Sequence, residues 1–138
     1  MAKRQTIQEL ADILIAGLKK AGFVIQRYNA YSTKSIYLKL DYGVGNTIRI
    51  SDHSGKDHLS YRYNLMTNIK KYYKEVDHKG FLRTYWPMKS VQSLIGTIIK
   101  NRTERIEKYG IERYRYYMKQ NIHDNQYARG FWAQAVMV

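Results

Sequence analysis

A chain of 138 residues with 24 Lys+Arg against 11 Asp+Glu has room for one domain and carries a formal charge of +13. Its apolar fraction of 44% suffices for a core and excludes a generally disordered chain. The lack of cysteine removes disulfides, thiolate nucleophiles, cysteine-ligated zinc and iron–sulfur clusters together, and so large a positive charge points to a polyanionic partner.

Lys3 and Arg4 stand before an apolar stretch, as in a signal peptide, but Glu9 and Asp12 interrupt it and its longest uncharged run is Ile13 to Leu18. That run is too short to cross a bilayer, so a soluble, cytoplasmic protein with no membrane partner is expected. The same stretch predicts a helix over about 7–20. Thr6 and Glu9 have capping-box spacing, Ile7, Leu10, Ala11, Leu14 and Leu18 form one apolar stripe, and Gly22 suits the position past the end. Tyr, Ile, Lys and Asn make up 49 of the 138 residues, and their AT-rich codons suggest an AT-rich bacterial genome or one of its phages as the source.

Strands are expected next. Phe23 to Tyr28 is short and rich in apolar and aromatic residues. Ser35 to Leu40 alternates, with Ile36, Leu38 and Leu40 on one side and Ser35, Tyr37 and Lys39 on the other. Asp41 to Asn46 is a turn with glycines for positive φ, and Thr47 to Ser51 puts Ile48 and Ile50 inward beside Arg49 outward. Asp52 to His58 reads as a polar loop, followed by a fourth strand with Leu59, Tyr61, Tyr63 and Leu65 on one face. Residues 64–76 have helical period, and Phe81 to Trp86 is a further extended piece. A helix then runs from about Ser90 to Tyr109, with Val91, Leu94, Ile95, Ile98, Ile99, Arg102 and Ile106 at helical spacing. Gly110 breaks it, and a basic, tyrosine-rich helix resumes from Ile111 to Gln120. The uncharged tail from Phe131 to Val138 is expected to dock on the core or to form a homo-oligomer.

The fold expected is α+β: a small antiparallel sheet of three to five strands on an N-terminal helix (about 1–86), then a basic helical extension (about 87–138). Together they make one compact unit. Nine of the thirteen net positive charges fall in 61–120, interleaved with tyrosines. Lysine and arginine neutralise phosphates, and tyrosine rings stack on unpaired bases. The expected nucleic-acid contacts are Lys70, Lys71, Lys74, Arg102, Arg105, Arg113, Arg115 and Lys119, with Tyr116 and Tyr117 as stacking groups. The alternative for such a charge run is a solvated helix face whose tyrosines close the edge of the core.

His53 and His58 with Asp52 and Asp57 suggest acid–base cleavage of RNA or metal ligation, although the spacing matches no specific metal motif and also suits ordinary turn chemistry. His78 and His123 sit in polar, turn-like settings. Ser54-Gly55-Lys56 lacks the upstream glycine of a phosphate-binding loop. No convincing catalytic machinery stands out, so the expectation is a protein with no catalytic residue, no metal and no cofactor.

Leu18-Lys19-Lys20-Ala21-Gly22-Phe23 running into a strand, followed by a hairpin ending in a histidine-containing loop, resembles the HicA-type toxins over about 7–76. The resemblance implies an α-β-β-β-α fold like that of double-stranded-RNA-binding domains, and mRNA cleavage by a histidine on the second strand. The corresponding stretch here, Ser32 to Tyr37, has no histidine. In type, the chain also resembles small, cysteine-free accessory proteins of phages and mobile elements, such as anti-CRISPR proteins. The expected function is non-enzymatic binding of RNA, DNA or a nucleoprotein, as an anti-CRISPR inhibitor of an RNA-guided nuclease. The alternative is an RNase that uses a loop histidine.

Overall fold

The computed structural model describes residues 6–30, 35–53, 56–64, 81–126 and 135–138. At 52, 53, 56–58, 62–64 and 81–83 it describes the backbone alone. Helix α1 (Ile7–Lys20) begins at Thr6, whose hydroxyl oxygen accepts the Glu9 N–H at 3.1 Å. The reciprocal arm of the expected capping box is replaced: the Thr6 hydroxyl lies 3.3 Å from Glu9 Oε1 and donates to it. At the other end Gly22 N–H donates to Lys19 O at 2.9 Å and Phe23 N–H to Leu18 O at 3.0 Å, the paired bonds of a Schellman cap. Gly22 takes φ +90° there, and the two residues joined across the cap, Leu18 and Phe23, are both buried.

Among the described residues six strands follow: β1 (Ile25–Asn29), β2 (Ser35–Leu40), β3 (Thr47–His53), β4 (Lys56–Asn64), β5 (Phe81–Pro87) and β6 (Val136–Met137). They form one antiparallel sheet in the order β5-β4-β3-β2-β1-β6. The architecture is α+β as expected, with one strand more than the five allowed for. The extra strand comes from the apolar tail. Val136 pairs with Arg27 and Met137 with Gln26, and Val138 N–H donates to Ile25 O at 3.1 Å. The tail end therefore docks on its own sheet, where β1 would otherwise present an unpaired edge.

The stretch expected as a polar loop is a hairpin. Ser51 opposes His58, Asp52 opposes Asp57 and His53 opposes Lys56. Polar side chains do not prevent strand pairing, because the ladder is made by backbone N–H and C=O groups. The helical period expected at 64–76 lies almost wholly outside the described residues, which show residue 64 as the end of β4.

Alternation sends one row of side chains per strand to the core. Ile36, Ile50, Leu59 and Trp86 lie side by side across four strands, with Leu38, Ile48, Tyr61 and Thr84 in the next row. Leu10, Leu14 and Leu18 of α1 pack on this face together with Val91, Leu94, Ile95 and Ile98 of α2 (Val91–Tyr109). Because α2 belongs to the same hydrophobic cluster as α1 and the sheet, a division at residue 86 would cut through one core. No helix among the described residues is long and apolar enough to cross a membrane.

Gly110 ends α2 at φ 91° and ψ 147°, a conformation that only glycine adopts without strain. The chain turns there into α3 (Ile111–Asn125), which lies against the short 3-10 turn Asp41–Gly43 between β2 and β3.

Candidate nucleic-acid interface

Helix α3 is held by a buried polar network centred on Asp41. Asp41 ends the alternating run of β2 in a left-handed conformation (φ 48°) and is fully buried. Its Oδ1 accepts the Val24 N–H at 2.9 Å, and its Oδ2 accepts the Tyr114 hydroxyl at 2.5 Å. Arg102 Nε lies 3.0 Å from the same Oδ2, an ion pair rather than an aligned hydrogen bond. One carboxylate thus ties the start of β1 to α2 and α3. Farther along α3, Asn121 Nδ2 donates to Tyr42 O at 3.0 Å.

Burial, reinforced by the bond to Asp41, raises the Tyr114 pKa well above the ordinary tyrosine value. A group whose folded pKa is raised contributes stability that is complete below its unfolded pKa, about 10, and is lost as pH rises beyond it. In an absorbance titration of the 14 tyrosines, Tyr114 is therefore expected to contribute a late phase that accompanies loss of the near-ultraviolet dichroism. A Tyr114→Phe protein with an unchanged late phase would refute this.

Two of the expected phosphate-binding residues are engaged in this scaffold. Arg102, with a side chain only 20% exposed, donates through Nη1 to Ala21 O at 3.0 Å and through Nη2 to Gly22 O at 3.4 Å. Its guanidinium also lies 4.3 Å from the centre of the Phe23 ring and 5.5 Å from that of Tyr114. A cation at that point favourably meets the negative end of the α1 dipole. Arg105 Nη1 donates to Val44 O at 2.5 Å. The cleft between them, lined also by Asn46, Tyr61 and Asn101, has a volume of about 20 Å³, room for one water molecule and for no larger ligand.

The solvent side of α3 gathers the remaining expected groups among the described residues. Arg113, Arg115, Tyr116 and Lys119 are exposed and Tyr117 is half-buried, because Tyr114, Met118 and Asn121 take the inner side. Helical spacing divides them: Arg115 and Lys119, one turn apart, share a flank, while Arg113, Tyr116 and Tyr117 lie on the other. On this second flank the Arg113 guanidinium is 5.5 Å from the Tyr109 ring centre and 5.9 Å from that of Tyr117. Lys108 Nζ is 5.3 Å from the Tyr109 ring, and the Tyr116 and Tyr117 rings meet edge to face at 5.6 Å. The bend at Gly110 thus assembles cations and aromatic faces from two helices. Lys70, Lys71 and Lys74 lie outside the described residues, as do the side chains of His53 and His58.

A second group of cations and rings sits on the face of the sheet opposite the core. Tyr28, Tyr37, Arg49, Ser60 and Tyr85 form one row across β1 to β5. The Tyr28 and Tyr37 rings are 6.3 Å apart, and the Arg49 guanidinium lies 5.6 Å from the Tyr37 ring centre while donating to Ser35 Oγ at 3.3 Å. Lys39 stands in the next row, and burial lowers its pKa. Charge density by segment directs attention to 61–120 and misses this row. The signal that finds it is the alternation of each strand, which already sends Tyr37 and Arg49 outward, combined with the register.

Comparison with protein-family models, with curated proteins and with solved structures finds no match for this chain.

Proposed function

We propose that this protein is a non-enzymatic binder of nucleic acid, free or held in a nucleoprotein, and that the outer side of α3 contacts the phosphates. The observation that carries this reading is the set of exposed cations Arg113, Arg115 and Lys119 beside the Tyr109, Tyr116 and Tyr117 rings, on a chain with a net charge of +13. Cations supply sequence-independent affinity, and the tyrosines add stacking or hydrogen bonding to phosphate. The solvated-face alternative accounts for the charges, but the arginine–tyrosine contacts at the α2–α3 bend give them a defined arrangement.

The setting we propose is a bacterial cytoplasm, where a phage or mobile-element protein of this size and charge acts as an anti-CRISPR inhibitor by engaging an RNA-guided nuclease through its nucleic acid. Purification of the tagged full-length chain at low salt, with identification of everything that co-elutes, tests both parts. Nuclease-sensitive absorbance at 260 nm, or an RNA-loaded nuclease, is the expected result. Protein that elutes free of nucleic acid and fails to bind added RNA or DNA would overturn the reading. Degradation of the added RNA would put the RNase alternative in its place.

A further inference from the structure

We infer that the oblique row Arg113–Tyr116–Lys119 on α3 is a site for an unpaired strand, in which the two cations hold phosphates and the tyrosine ring stacks on the base between them. The inference rests on the nucleic-acid reading of α3 and narrows it to one class of ligand, a single strand of RNA or DNA.

The three residues are spaced i, i+3, i+6, so they follow one ridge of the helix, with neighbouring Cβ atoms about 5–6 Å apart. Arg113 and Lys119 are exposed, and Tyr116 is 59% exposed. The ridge faces solvent because α3 turns Tyr114, Met118 and Asn121 to the body of the protein. Tyr116 thus stands midway between two cations, with a ring that the core does not use. A strand laid across α3 with a phosphate on each cation brings the intervening base over that ring.

The ring is also held in place. It meets the Tyr117 ring edge to face at 5.6 Å, and the centre of the Tyr117 ring lies 5.9 Å from the Arg113 guanidinium. That guanidinium is 5.5 Å from the centre of the Tyr109 ring. Tyr109 is the last residue of α2, so this series of contacts starts in a second helix and crosses the bend at Gly110. A platform braced in this way loses less freedom on binding than an unsupported side chain.

Charge sets the limits of the site. From Arg113 to His123 the chain carries three cations and no acid, and the exposed Glu112 and Asp124 stand at either end. Phosphate is repelled at both ends and drawn to the stretch between them. Arg115, one turn before Lys119, extends the cationic side of the ridge. A duplex offers phosphates to the same cations, but its bases are paired and stacked inside, beyond the reach of Tyr116.

The test uses the full chain and fluorescein-labelled 12-nucleotide oligo(U), oligo(dT) and an RNA duplex of equal length, titrated at several salt concentrations. Tyr116→Ala changes an exposed side chain, with circular dichroism as the check on folding. It is expected to weaken single-strand binding roughly 5- to 100-fold and to leave duplex binding unchanged. The salt dependence is expected to stay the same, because a ring is removed and no cation. Tyr116→Phe keeps the ring and loses the hydroxyl, so its single-strand affinity is expected to match the wild type. The oligo(U) and oligo(dT) arms show whether RNA or DNA is the better ligand.

Unchanged single-strand affinity in Tyr116→Ala, an equal loss on the duplex, or an equal loss in Tyr116→Phe would overturn this inference while leaving nucleic-acid binding by α3 in place. Failure of the wild-type protein to bind any of the three probes would defeat the underlying reading as well.

Discussion

Replacing Asp41 with alanine is expected to destabilise the protein by about 3–5 kcal/mol, the cost of breaking a buried ion pair from one side. The carboxylate is fully buried and accepts from Val24 N–H and the Tyr114 hydroxyl while facing Arg102. Its removal leaves a largely buried guanidinium without its counter-ion and a buried phenol without its acceptor, and the exposed alternative for either group is blocked by packing. A domain of this size has a total stability of roughly 5–15 kcal/mol, so the loss removes a large share of it. Urea denaturation followed by far- and near-ultraviolet dichroism measures it. A loss below about 1 kcal/mol would show that the network does not hold α3.

The second large effect is on binding. Changing Arg113, Arg115 and Lys119 together to glutamate leaves the Asp41 network in place, since all three side chains are exposed. Each phosphate that is no longer neutralised lowers the magnitude of the log–log salt slope by about 0.7–0.9. Releasing three phosphates reduces affinity roughly 100- to 500-fold at 0.1 M salt, before any added repulsion from the new acids. Similar affinity in the wild-type and triple-variant proteins would remove α3 from the interface.

The elements legible in the sequence are those specified by short-range pattern. Thr6, the stripe from Ile7 to Leu18 and the glycine at 22 define α1 at both ends, and the alternation of β2 shows which side faces the core. The same local physics accounts for the residues that carry the resemblance to HicA-type toxins: Leu18 to Phe23 form a Schellman cap, which a helix running into a strand can use in many folds. Elements that depend on distant partners were not legible. Asp41 reads as a turn residue until Tyr114 and Arg102, which are 73 and 61 positions away, are seen to converge on it.

Arg102 shows how a local signal is outweighed by a compositional one. It lies in the stripe with Ile95, Ile98, Ile99 and Ile106, which places it on the inner side of α2, yet the basic composition of 61–120 assigns it to a phosphate-binding surface. An arginine on an apolar stripe packs its stem against the core and needs an internal counter-ion, here Asp41. The aromatic row of the sheet was hidden for a different reason. Each outward residue is visible within its own strand, but only the register brings Tyr28, Tyr37, Arg49 and Tyr85 into one line.

Salt dependence is the most direct test of nucleic-acid binding through α3. The dissociation constant of a fluorescein-labelled oligo(U) should be measured between 0.05 and 0.3 M salt for the wild-type protein and for the Arg113→Glu, Arg115→Glu, Lys119→Glu variant. A linear log–log plot is expected for the wild type, with a slope smaller in magnitude by about 2–2.7 in the variant. Two parallel lines, or a wild-type affinity that does not change with salt, would contradict phosphate binding by α3.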